Sequence, residues 1–175
     1  VLLRSLVLLV AAFLLLGCGV RWRPPAQNGS FVPPAQEYVC VDLPREQQAA
    51  AAEAVEGWDN ALKQWKRLTA IEGRQEPCTY WVHEADRPED DESRALAWVS
   101  MLGGREIFMR RGWYEHDTTA ILMHELGHAF GAQHVPGTLM NITYQRRAFA
   151  CPDATTVAQV AAWNHVSIEL LAWCL

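Results

Sequence analysis

The sequence predicts an α/β domain, of the α+β kind, in which helices pack on a small sheet. Three observations carry that expectation. Short β-rich alternating stretches and longer stretches with apolar residues three and four apart follow one another in the order strand, helix, strands, helix, helix. A length of 175 residues, 50% hydrophobic, suits one domain with a substantial core and excludes a disordered tail, a collagen-like fibre or a knottin. With 20 acidic against 15 basic residues the formal charge is -5, which argues against nucleic acid as a partner, since a basic stripe is the usual footprint there.

The chain opens with Arg4 and an uncharged apolar run over residues 6–16, so residues 1–17 read as a targeting leader. As a helix the run spans roughly 16 Å, short of the ~20 residues that a bilayer core needs. It ends in Leu15-Leu16-Gly17-Cys18, which resembles the lipobox of bacterial lipoproteins. The resemblance implies that Cys18 is acylated and that the protein is exported and membrane-anchored. Gly19 is not the aspartate that retains many such proteins at the inner membrane, which favours the outer membrane or cell surface. Residues 18–36, with Pro24-Pro25 and Pro33-Pro34, are expected to form an extended tether, leaving 37–175 as the folded domain. Export would place Cys40, Cys78, Cys151 and Cys174 in an oxidising compartment, where four cysteines form two disulfides in one of three connectivities.

Within the domain, residues 37–43 alternate as a first strand. Pro44 can open a helix of about 22 residues, with Val55, Trp58, Leu62, Trp65 and Leu68 forming a core-facing stripe. Residues 79–83 read as a second strand. The stretch from Glu84 to Glu92 offers the oxygens that calcium takes but no ligand-loop spacing, so a solvated acidic loop is expected. Residues 96–101 and 106–110 flank Gly103-Gly104 as a hairpin-like pair. Asp117-Thr118-Thr119 can cap a helix over 120–130 that stops at Gly131, and a last helix is expected over 154–173.

The chemistry concentrates in His124-Glu125-Leu126-Gly127-His128-Ala129-Phe130-Gly131-Ala132-Gln133-His134. Residues four apart share a helix face, so the imidazoles of His124 and His128 can converge on one metal ion. Glu125, one residue round, suits a group that reaches water rather than a ligand. Gly131 accepts the left-handed conformation that ends a helix, so the following loop can return His134 to the same ion. Three imidazoles with an open fourth position describe a catalytic zinc site rather than a structural one.

This HExxHxxGxxH pattern, followed by Gly137-Thr138-Leu139-Met140-Asn141, resembles the metzincin clan of zinc endopeptidases, and the order of the strands around Leu96-Ala97-Trp98-Val99 is similar to a matrixin catalytic domain. The resemblance implies a twisted mixed sheet with a long first helix, an active-site helix and a C-terminal helix. It also implies one catalytic zinc on His124, His128 and His134, Glu125 as general base, and Met140 packed beneath the metal. A peptide or protein substrate would lie extended beside Leu96, Ala97, Trp98 and Val99, with its pocket wall in 141–152. Val135, after the third histidine, matches none of the named families, so placement within the clan stays open.

Tyr144 lies four past Met140 and reads as a pocket-wall or surface residue. His83, His116 and His165 read as ordinary histidines, and a matrixin-like cysteine-switch peptide before the domain is not expected. A single helix over 154–173 would hold Cys151 and Cys174 roughly 30 Å apart, beyond a disulfide's reach. By resemblance to the clan, which often ties the last helix to the sheet, Cys78 with Cys174 and Cys40 with Cys151 is the favoured pairing. The expectation is a monomeric zinc endopeptidase. A catalytically silent or single-target zinc-binding lipoprotein is the alternative, against which the presence of Glu125 argues.

Overall fold

Alternation along the first strand decides which side of the sheet is interior. In β1 (Ala35–Asp42) Val39 and Val41 are buried beneath the helices, while Cys40 faces the opposite side. The computed structural model describes residues 34–73, 76–86, 95–100, 105–112, 117–143 and 151–174. The expected leader, Cys18, the expected tether through Pro33, His116, Tyr144, most of the acidic stretch and much of the expected pocket wall lie outside the described residues.

The other elements are α1 (Arg45–Leu62), β2 (Lys66–Glu72), β3 (Tyr80–Ala85), β4 (Ala97–Val99), β5 (Glu106–Arg110), α2 (Thr118–Ala129), α3 (Ala154–Trp163) and a 3-10 turn, Ile168–Leu170. The five strands form one mixed sheet in the order β2-β1-β3-β5-β4, in agreement with the expected α+β class. β1 runs parallel to β2 and β3, and β3 parallel to β5. β4 closes one edge antiparallel to β5, with Trp98 opposite Phe108, so the hairpin-like reading of these segments holds. β1 begins at Ala35, two residues inside the expected tether.

α1 supplies the crossover that parallel pairing of β1 with β2 requires. Its buried stripe runs through Ala51, Ala54, Val55, Trp58, Ala61 and Leu62. Trp58 is fully buried, and its indole N–H donates to the Met123 carbonyl at 2.9 Å, locking α1 to α2.

Three expectations are corrected. The first helix has 18 residues and stops at Leu62, so Trp65 and Leu68 are not part of its stripe. Residues 66–72 instead form β2, in register with β1 from Ala35↔Lys66 to Val41↔Glu72. Asp59 makes the change of direction possible: one carboxylate oxygen accepts the Leu68 N–H at 2.7 Å and both oxygens bond the Arg67 guanidinium. Lys66 is buried too, paired with Glu37 at 3.0 Å and donating to the Tyr80 hydroxyl at 3.2 Å.

The last helix is also shorter, ending at Trp163. Asn164 caps it, His165 takes a left-handed φ of 54°, and Val166 N–H returns to the Ala161 carbonyl at 3.0 Å. The chain then doubles back, so that Cys174 N–H meets the Pro152 carbonyl at 3.0 Å. That reversal overturns the third expectation, the disulfide pairing. The bonds are Cys40–Cys78 and Cys151–Cys174, with Cα separations of 5.7 and 6.0 Å. Among the described residues no helix is long and apolar enough to cross a membrane.

Candidate metal centre

α2 starts where the Asp117 side chain accepts the Ala120 N–H at 3.1 Å, as the capping residues predict. Leu122, Met123 and Leu126 are fully buried, and α2 packs against α1, β4 and β5. His124 and His128 lie on a half-buried stripe of the same helix, and Glu125 is buried at 7% exposure.

Gly131 ends the helix as expected, with φ 96°. Ala132 N–H bonds the Gly127 carbonyl and Gly131 N–H bonds the His128 carbonyl, both at 2.9 Å, the paired bonds of a Schellman turn. A side chain at Gly131 would meet the Trp163 ring, so conformation and space both demand glycine. The turn also swings the Ala132 carbonyl under His128, which donates from Nδ1 at 2.8 Å. The loop then brings His134, exposed, to the two helix histidines.

Beyond it, Val135 N–H bonds the Met140 carbonyl at 2.9 Å and closes a tight turn in which Gly137 has φ 78°. Met140 is fully buried, and its sulfur lies where a Cβ at Gly127 would have to be. Within the turn the Leu139 carbonyl accepts His124 Nδ1–H at 2.9 Å.

Two imidazoles thus spend Nδ1–H on backbone carbonyls, leaving the Nε2 lone pairs free to face inward. His134 Nε2 is 3.3 Å from His124 Nε2 and 3.1 Å from His128 Nε2, and the three donor atoms lie within 4.8 Å of one another. Bonds of about 2.0–2.1 Å at tetrahedral angles place donor nitrogens about 3.3 Å apart, close to the separation that both pairs involving His134 show. Burial pushes His124 down to about 4 and lowers His128 as well, so both are neutral, the ligand form, at pH 7. Burial raises Glu125 to about 8.

The structure therefore brings together His124, His128 and His134, with Gly131 turning the chain between them and Met140 packed against Gly127, while Glu125 is buried on the same helix. Ala97, Trp98 and Val99 form the edge strand β4, whereas Leu96 lies just outside it and accepts the Arg110 N–H at 2.9 Å. Cys40, Cys78, Cys151 and Cys174 are taken up in the two disulfides. Sequence reasoning missed the carbonyls of Ala132 and Leu139, which no side chain announces, and the packing demand on Gly127. Comparison with protein-family models and with curated proteins returns no match.

Proposed function

We propose that this chain is a zinc-dependent endopeptidase of metzincin type, exported and anchored through Cys18. The observation that carries the reading is the convergence of three imidazole Nε2 atoms, two of them on histidines held neutral by burial, at a helix that also carries the buried Glu125. Zinc on His124, His128 and His134 would supply a Lewis acid that acidifies water toward a pKa of about 7 and polarises a scissile carbonyl. Glu125 takes the proton of the attacking water and hands it to the leaving amine. A neighbouring dication favours its anionic, proton-accepting form despite the burial. β4, at the sheet edge and against α2, offers backbone groups to an extended peptide, a mode of recognition largely blind to sequence.

The test is to measure zinc in the oxidised protein and to assay peptide-library cleavage for the parent and Glu125→Ala together. About one zinc per chain with cleavage by the parent alone supports the reading. Zinc with equal inactivity in both points to a silent or single-target protein, and a folded parent without zinc removes the metal assignment.

A further inference from the structure

We propose that Asp153 is a positioning residue that aims His124 through Leu139. Asp153 precedes α3, 29 positions beyond His124 in the chain and outside the motif that holds the histidines. One carboxylate oxygen, Oδ1, accepts the N–H groups of Thr155 and Thr156, both at 3.0 Å, and caps α3. The other, Oδ2, accepts the Leu139 N–H at 2.8 Å and the Thr156 hydroxyl at 2.7 Å. Leu139, almost fully buried, is thus held at its N–H by Asp153 while its carbonyl receives His124 Nδ1–H. A helix cap needs a single oxygen, which serine, threonine or asparagine supplies. The second oxygen acts elsewhere, fixing the carbonyl that selects the His124 tautomer and ring plane.

Asp153 is itself fastened. Cys151–Cys174 and the Cys174 N–H bond to Pro152 hold the residues before it, and Ala172 N–H bonds the Ala61 carbonyl at 2.9 Å near the end of α1. The same helix reaches the other arm of the site. Gln159 Oε1 accepts the Gln133 N–H at 2.7 Å, next to His134, and Asn164 donates to the Phe130 carbonyl at 2.8 Å. α3 therefore grips both the turn under His124 and the loop that returns His134.

The consequence for metal binding rests on the zinc reading above, but the aim of His124 can be read without metal. Asp153→Ser keeps an oxygen for the helix cap and removes the one that faces Leu139. Nitrogen-15 spectra of the metal-free proteins should show His124 as the Nδ1–H tautomer in the parent and as a mixture of tautomers in the variant. Chelator competition should show zinc held about tenfold more weakly, and the metal-free thermal midpoint should fall as well, because the buried Leu139 N–H loses its acceptor. Asp153→Asn, which has the same shape but one carbonyl oxygen, should shift both readouts in the same direction, and it serves if the serine variant does not fold.

An unchanged His124 tautomer in a folded variant overturns the proposal, whatever happens to affinity, and leaves Asp153 as a helix cap. A tautomer that responds in a parent unable to bind zinc upholds the role of Asp153 and sinks the metal reading instead.

Discussion

Glu125 is the residue on which the proposed chemistry turns, and its burial gives it a measurable signature. Glu125→Gln should reduce cleavage by a factor of about 100 to 10,000 while zinc content stays at the parent level, since glutamine keeps the shape but takes no proton. Equal zinc loss in the variant would argue against that division of labour. The metal-free protein also has a defined pH response. Glu125, raised from 4.5 to about 8, binds more protons folded than unfolded, so stability falls as pH rises from 4.5 to 8. His124, lowered from 6.5 to about 4, and His128, also lowered, act in the opposite sense: stability is lost as pH falls below 6.5. Denaturant midpoints of chelated protein should therefore peak near pH 6.5, and a flat profile from 5 to 8 would refute these environments. Gly127→Ala should destabilise by about 1–3 kcal/mol in urea titrations, although alanine is the better helix former, because the new methyl displaces the Met140 sulfur. The histidines were legible in the sequence because their spacing is the chemistry; Gly127 looked like an interchangeable position of the motif, and only packing makes it matter.

At the scale of elements, the misread segments share a cause: local periodicity continued where tertiary contacts had already ended the helix. Trp65 and Leu68 extend the apolar step of α1, but the Leu68 N–H is claimed by Asp59 and β2 gains a full ladder against β1. Asp59→Ala leaves the Leu68 N–H and the Arg67 guanidinium without this acceptor and should cost about 1–3 kcal/mol, read from the urea midpoint. Little change there would mean that the ladder alone holds β2. The end of α3 was hidden because His165, not glycine, occupies the left-handed position, which leaves Asn164 as the only stop signal and a weaker one than glycine. From that one omission followed the overlong helix and the wrong disulfide partners. By contrast Asp117 and Gly131 announce both ends of α2, and both behave as read.

For the molecule as a whole, the class of fold was readable from element order, while the parallel register of β1, β2 and β3 depends on contacts too distant for periodicity to report. Reduction of Cys40–Cys78 and Cys151–Cys174, which close 38- and 23-residue separations, should cost roughly 3–4 kcal/mol each on the chain-entropy account, measurable as a lowered urea midpoint. Zinc should raise the melting temperature in a concentration-dependent way, with a ceiling of about 2.7 kcal/mol at a hundredfold excess over Kd. The melt should fall short of that ceiling. All three histidines lie within residues 124–134, a span short enough that it would still act as a flexible tridentate chelator after the sheet had come apart. An ion that can follow the chain into its unfolded ensemble stabilises the native state only by the difference between two affinities. On the zinc reading, the same closeness would let a nascent chain take up the ion before β4 and α3 have been placed, so loading and folding would need no fixed order.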